Sequence, residues 1–290
     1  MRILVLGATG TVGSQVARQI VARGHEVHAL TRGGKPLPDG VAAVMGDLLD
    51  VQTVRTAFRD MDGVFLVNGW STSEAHEGLM AVNGCMESRV GRVVYLSVPH
   101  VEEAAWLPHF GAKVAVETAI RSSGLPYTIL RPNNFFQNDL WLREAITQYG
   151  FYPQPIGGVG LTRIDVRDIA DAAAVTLTED GHAGRIYELG GPEVVTGAST
   201  AAAWSAALGR EVQYAGDDLD SWELRSLQFM PPLMVYDFRR MYEYFQQHGL
   251  IATREQLAQQ ERLIGHPPRP FADFAREQAA AWGVTAALPA

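Results

Sequence analysis

The chain has 290 residues, 47% hydrophobic and 19% charged, the balance of a water-soluble globule and long enough for a main domain with a smaller appendage. Its 24 basic residues against 32 acidic ones leave a net charge of −8 with no basic block, which argues against direct nucleic-acid binding. No apolar run approaches a membrane span, and a single cysteine, Cys85, excludes an internal disulfide and a multi-cysteine zinc site, so no metal is expected.

Met1 leads straight into Arg2 to Leu6, an aliphatic, β-branched run suited to a strand covered on both faces. That start leaves no room for a signal peptide, and a cytoplasmic location is expected. Gly7, Gly10 and Gly13 follow at spacings of three. The first lets the chain turn, the second lets backbone approach a pyrophosphate, and the third lets a helix pack close to the strand. Thr9, Thr11 and Val12 lie in the same turn and are expected to share the contact with the diphosphate. Such a triplet also arises by chance, so context decides. Here it opens an amphipathic helix, about Thr11 to Arg23, with Val12, Val16, Ile20 and Val21 on one side, and a second apolar strand, Glu26 to Leu30, comes next.

After that strand stands TRGGK, Thr31 to Lys35, where many dinucleotide folds carry an acid for the ribose hydroxyls. With no acid present, Arg32 and Lys35 are expected to pair with a 2′-phosphate, which favours NADP(H) over NAD. A third strand, Val41 to Met45, ends in Gly46, Asp47 and Leu48; Asp47 either bonds the adenine amino group or assists the helix from Asp50 to Phe58. Further strands are expected at Gly63 to Asn68, Arg92 to Ser97 and Pro126 to Leu130, with helices at Glu74 to Arg89 and within Trp106 to Ser123. Alternation of this kind implies a doubly wound parallel sheet, whose ligands sit beyond the carboxyl ends of the strands. Gly7, Arg32, Asp47, Asn68 with Gly69, Ser97 and Pro132 all fall there.

Beyond Pro132 the pattern loosens. Gly157, Gly158 and Gly160 precede no helix and mark a loop, not a second nucleotide site. Strands near Thr162 to Val166 and Arg185 to Leu189 are expected to frame a helix at Asp168 to Thr178, followed by a helix at Ser199 to Leu208, a strand at Glu211 to Tyr214 and helices to about Trp282. The predicted division is a Rossmann-type domain over 1–150, joined by parts of 160–195, and a smaller, mostly helical, discontinuous substrate region over 151–290. Within the latter, Trp222 to Phe245 is dense in aromatics and methionine, a stripe that serves either as core or as the wall of an apolar pocket.

Several stretches together resemble the NmrA-like branch of the atypical short-chain dehydrogenases/reductases: GATGTVG from Gly7, GHEVHALTR from Gly24, GDL from Gly46, YLS from Tyr95, and Lys113 before SGLPYTILRPNNFFQN. DVRDIA from Asp165 and GHPPRPFADF from Gly265 extend the likeness over nearly the whole chain. The resemblance implies a Rossmann-type fold, NADP(H) binding and a small C-terminal substrate domain. Catalytic relatives carry Tyr-x-x-x-Lys, whose lysine binds the nicotinamide ribose and lowers the tyrosine pKa. Here the spacing holds, but the first residue is His109. Lys113, one of only two lysines beside Lys35, is expected to keep the cofactor role. His109 is either the proton donor or a filler of the loop before the helix, and Ser97 corresponds in position to the family's active-site serine, though Val98 and Pro99 follow it.

Three functions compete. The first is an NADPH-dependent reductase of a quinone, dye or other conjugated carbonyl compound, taking a small apolar or aromatic substrate. The second is a ketoreductase of a biosynthetic pathway, for which His109, Tyr149 or Tyr152 would have to supply the acid. The third is a non-catalytic NADP(H) sensor acting through a protein partner. A homodimer is compatible with any of them.

Overall fold

In the computed structural model, which describes residues 1–283, the chain begins β1 (Arg2–Leu6), α1 (Thr11–Ala22), β2 (Glu26–Thr31), β3 (Val41–Met45), α2 (Val51–Ala57), β4 (Gly63–Leu66), α3 (Glu74–Glu87), β5 (Arg92–Leu96), α4 (Pro108–Ser122) and β6 (Tyr127–Pro132). A 3-10 turn (Phe136–Leu142), α5 (Arg143–Thr147), β7 (Phe151–Tyr152), α6 (Val166–Thr178) and β8 (Arg185–Leu189) follow. The remainder is α7 (Gly197–Leu208), β9 (Gln213–Tyr214), α8 (Leu219–Ser226), α9 (Pro232–His248), α10 (Arg254–Ile264) and α11 (Phe271–Ala281). Residues 284–290, the end of the expected C-terminal region, lie outside the described part.

Seven strands form one parallel sheet in the order β3-β2-β1-β4-β5-β6-β8. The order reverses between β1 and β4, the switch point at which doubly wound sheets take ligands. β1 is central, and Ile3 to Leu6 are at most 2% exposed, so the strand reads as an unbroken apolar run. One sheet face meets a core of Leu4, Leu6, Val64, Tyr95 and Ile129 packed with Phe58, Val82, Cys85, Val116 and Ile120. α1 and α6 pack together, α3 against both α2 and α4. This is the α/β fold of Rossmann type read from the alternation of strands and helices.

Two compact units result. The first comprises residues 1–132, 166–189 and 258–266 and holds the seven-stranded sheet. Its N-terminal run ends with β6 at Pro132, rather than near 150, because the parallel ladder stops there. The second unit contains 133–165, 190–257 and the described residues after 266, mostly helical, with the two-residue strands β7 and β9 paired in parallel. Thr162 to Val166 does not form the expected strand: Leu161 and Ile164 make isolated bridges only, and Val166 already begins α6.

A fully buried polar knot holds the second unit. The Arg163 guanidinium donates to Asp139 at 2.7 Å, both side chains being 0% exposed, and also to the Phe135 carbonyl and to Asn134 Oδ1. Trp204 Nε1 donates to the same carboxylate at 2.9 Å. Phe136, Phe271 and Phe274 pack edge-on and tilted beside it. Asn133 donates to the Leu250 carbonyl, and Gln137 to Asp165. Asn133, Asn134 and Gln137 of RPNNFFQN are thus buttresses, whose withdrawal from water is tolerable because each finds a partner.

Candidate active site

At the end of β1, Gly7 takes φ +67, and a Cβ on Gly13 would stand 2.3 Å from the Gly7 carbonyl oxygen. Both glycines are demanded by the fold itself: one by its left-handed backbone, the other by the close seating of α1. Gly10 is not. Its φ of −95 suits any residue, and a Cβ there meets only the Gly7 carbonyl, at 3.2 Å. As the N-cap of α1 it makes no side-chain cap bond, where Ser, Asp or Asn would stabilise the helix by about 1 kcal/mol. Thr11, Val12 and Gly13 fill the first helical turn, whose amides have no carbonyl within the helix, and no acidic side chain occupies that turn. A bare, positively polarised main chain of this kind fits a diphosphate.

At the end of β2, Arg32 is 80% exposed, with Nη1 3.8 Å from Asp47 Oδ2, and Lys35 is also exposed. Asp47 accepts from the Leu49 amide at 2.9 Å, closing the turn that contains half-buried Leu48. The start of α2 belongs to Asp50, whose carboxylate accepts from the amides of Gln52 and Thr53. Asp47 therefore does not cap the helix, and its second oxygen faces the basic loop. This group could hold a phosphorylated ribose.

The ends of β4, β5 and α4 converge more tightly. Lys113 is 3% exposed and not a surface lysine. Its ammonium donates to the Asn68 carbonyl at 2.7 Å and stands 2.9 Å from Glu74 Oε1. Asn68 in turn donates from its amide to the Glu74 carbonyl at 2.8 Å, tying β4 to α3. The other Glu74 oxygen, Oε2, lies 2.7 Å from His109 Nδ1. Burial pushes the Lys113 ammonium below its ordinary value, and the Glu74 charge pulls it back up. Tyr95 lies beneath, its ring 5.7 Å from Lys113 Nζ, and its hydroxyl is pushed well up by burial and then by the charges of Glu74 and Glu117. The Ser97 hydroxyl is buried without a hydrogen-bond partner among the described residues, so a ligand or water atom is needed to satisfy it. Gly69 is exposed, and Pro132 closes β6, buried.

Glu74 was not among the sequence candidates. It sits 35 residues from His109, and only the packing of α3 against α4 brings them together. Elsewhere in the first unit, Asp168, Asp171 and His266 gather ligand-type atoms within 4.8 Å; His266 Nε2 is 3.1 Å from Asp171 Oδ2, the geometry of a hydrogen-bonded pair.

The second unit carries a cavity of about 700 Å³. Trp141, Tyr149, Phe151, Trp222, Phe229 and Tyr242 line it, together with Met230 and Met241. The aromatic stripe expected to be core or pocket wall is therefore both: Trp222, Phe229, Met230, Phe238, Met241 and Tyr242 face the cavity, while Tyr244 and Phe245 are buried. Tyr152 is 0% exposed and bonded to Asp139, Gln154 and Arg163, which removes it as an acid. Tyr149 is 67% exposed on the cavity wall.

Residues 1–271 match the profile of the NmrA-like family. An NAD(P)H azoreductase of Xenophilus azovorans is 30% identical over 292 residues, covering 97% of this chain and 99% of the relative. A (4-alkanoyl-5-oxo-2,5-dihydrofuran-3-yl)methyl phosphate reductase of Streptomyces griseus is 33% identical over 284 residues, with the same coverage of 97% and 99%. Among solved structures, an NADPH-dependent quinone oxidoreductase of Escherichia coli complexed with NADPH superposes with a TM-score of 0.84 at 22% identity, over 96% of this chain and 99% of that one. A Citrobacter triphenylmethane reductase superposes with a TM-score of 0.84 at 22% identity, over 97% of this chain and 100% of that one.

Proposed function

The chain belongs to the NmrA-like family, and from that premise we propose that it is an NADPH-dependent oxidoreductase reducing a quinone, a dye or another conjugated carbonyl compound. The observation that carries this reading is the cavity of about 700 Å³ walled by aromatic and methionine side chains, in a chain whose glycine turn fits a diphosphate. Flat conjugated molecules suit such walls, because aromatic faces and adaptable thioethers bind π-systems without demanding polar partners.

NADPH, when bound, supplies the hydride. The turn from Gly7 to Gly13, with Thr9, Thr11 and Val12, takes the diphosphate on its amides. Arg32 and Lys35 take the 2′-phosphate, and Asp47 and Leu48 border the adenine. Asn68, Gly69, Ser97, Lys113 and Pro132 surround the nicotinamide half, with the Ser97 hydroxyl supplying an unpaired polar contact. His109 gives the proton that completes reduction, a modest demand because quinones and azo compounds form stabilised anions. Supporting this reading, two curated relatives that are at least 30% identical and match over nearly their whole length are named as reductases. Among the described residues no helix is long and apolar enough to cross a membrane, and we place the enzyme in the cytoplasm, where NADPH is available.

The test is loss of NADPH absorbance with a panel of quinones and azo dyes. Turnover is expected. Complete inertness alongside measurable NADPH binding would replace this reading with that of a cofactor-binding sensor, which the histidine in place of tyrosine at position 109 favours.

A further inference from the structure

We propose that Glu74 is the positioning residue for proton delivery: its carboxylate is shared between Lys113 and His109, holding the imidazole in one tautomer and shielding it from the lysine charge. The inference rests on the reductase reading above.

The argument is one of sign. In Tyr-x-x-x-Lys, a cationic lysine beside a phenol favours its ionisation and so aids proton loss. Put a histidine in the tyrosine's place and the same cation works against the imidazolium, driving off the proton before the acceptor needs it. A carboxylate between the two reverses that penalty. Glu74 stands in this place, with Oε1 2.9 Å from Lys113 Nζ and Oε2 2.7 Å from His109 Nδ1. Its side chain is 3% exposed, so water scarcely screens these contacts.

The placement is also built, not incidental. Asn68 fixes the Glu74 carbonyl from the loop after β4, and the first turn of α3 favours an acidic residue through the helix dipole. Of the charged and titratable groups here, Glu74 from α3 bonds the imidazole, Lys113 from its own helix shares that carboxylate, and Tyr95 from β5 lies beside Lys113 with its hydroxyl feeling Glu74 and Glu117. With Nδ1–H directed to Glu74, the proton that is delivered leaves Nε2. It passes to the oxygen or nitrogen of the acceptor that has been reduced by hydride: the N–H bond breaks, an O–H or N–H bond forms, and the imidazole is left neutral with Nδ1–H still on Glu74. Water then restores the proton at Nε2.

The experiment is a ¹⁵N-histidine NMR titration of the protein, with His109→Phe identifying the His109 resonances, run beside the pH–rate profile for an azo dye. In the wild type, Nδ1 of His109 is expected to stay protonated in the neutral ring. In Glu74→Gln the titration midpoint and the alkaline limb of the profile should both move down by about one pH unit or more, and Glu74→Asp should return them. An unchanged midpoint in Glu74→Gln, or a neutral wild-type ring protonated only at Nε2, overturns the proposal. Should Glu74→Gln not fold, the wild-type tautomer and the Glu74→Asp titration decide alone. If no dye is reduced, the reductase reading fails, while the NMR result still settles whether Glu74 governs His109.

Discussion

Replacing Gly10 by alanine separates a glycine kept for a ligand from glycines kept for the fold. An added Cβ at position 10 meets one protein atom, the Gly7 carbonyl oxygen at 3.2 Å, whereas at position 13 it meets that oxygen at 2.3 Å, with the Gly7 carbonyl carbon at 2.6 Å. Gly10→Ala should therefore cost about 1 kcal/mol of stability or less, and Gly13→Ala about 2–3 kcal/mol, since α1 must move off the turn. Affinity should respond in the opposite order of severity relative to stability. A methyl group at position 10 holds a diphosphate away from the amides of the first turn, and losing two charge-assisted hydrogen bonds amounts to about 3 kcal/mol or more, roughly a 100-fold or greater rise in Kd. Calorimetric titration with NADPH, alongside thermal unfolding without it, measures both. A Gly10→Ala variant that binds NADPH like the wild type would refute the placement of the diphosphate; one that loses as much Tm as Gly13→Ala would refute the claim that the fold does not need this glycine.

Four further outcomes follow from named contacts. Arg32→Glu should weaken NADPH by at least about tenfold while leaving NADH nearly unchanged, because the exposed guanidinium has only Asp47, 3.8 Å away, as a protein partner among the described residues; calorimetry with both nucleotides checks it. Asp139→Ala leaves the Arg163 guanidinium buried without its carboxylate and should cost about 3–5 kcal/mol in denaturant unfolding, much of it recovered when Arg163→Met is added. Phe229→Ala, which removes a 76% exposed wall of the cavity, should raise KM for aromatic acceptors about tenfold with NADPH affinity unchanged. Burial pushes the Glu188 carboxyl up to about 7 against the pull of Arg131, so its proton stabilises the folded state fully below the ordinary value of 4.5, and that stabilisation is lost as pH rises through about 7. Glu188→Gln should accordingly remove about 2 kcal/mol from the fall in stability between about pH 5 and 8, read by denaturant unfolding at each pH.

Local pattern and long-range pairing differ in how far a sequence exposes them. The inner strands β1, β4 and β5 announce themselves, since a strand buried on both faces must be apolar throughout, and Gly7 with Gly13 mark the turn because no other residue fits. Thr162 to Val166 resembles a strand in sequence, but its neighbourhood closes onto Val195, Leu250 and Phe135 through single bridges, a pairing that hydrophobic alternation cannot distinguish from a ladder. The partnership of Glu74 with His109 and Lys113 is harder still. At the head of α3 a glutamate is what helix capping and dipole would select on any surface, so nothing local marks this one as buried.

That difference bears on what family membership explains. The segment most diagnostic of the family, SGLPYTILRPNNFFQN, supplies β6 and then the buried partners of Arg163, Leu250 and Asp165. Its sequence is constrained largely by packing and by the need to satisfy polar groups withdrawn from water, while Asn134 and Asn138 also line the cavity. The position that departs from the catalytic pattern, His109, is instead tied to a carboxylate from another helix. A phenol that loses its proton with help from a lysine and an imidazolium that keeps its proton with help from a glutamate require opposite local fields. In the proposal above, Glu74, 2.7 Å from Nδ1, supplies the anion that a proton-delivering histidine at 109 requires.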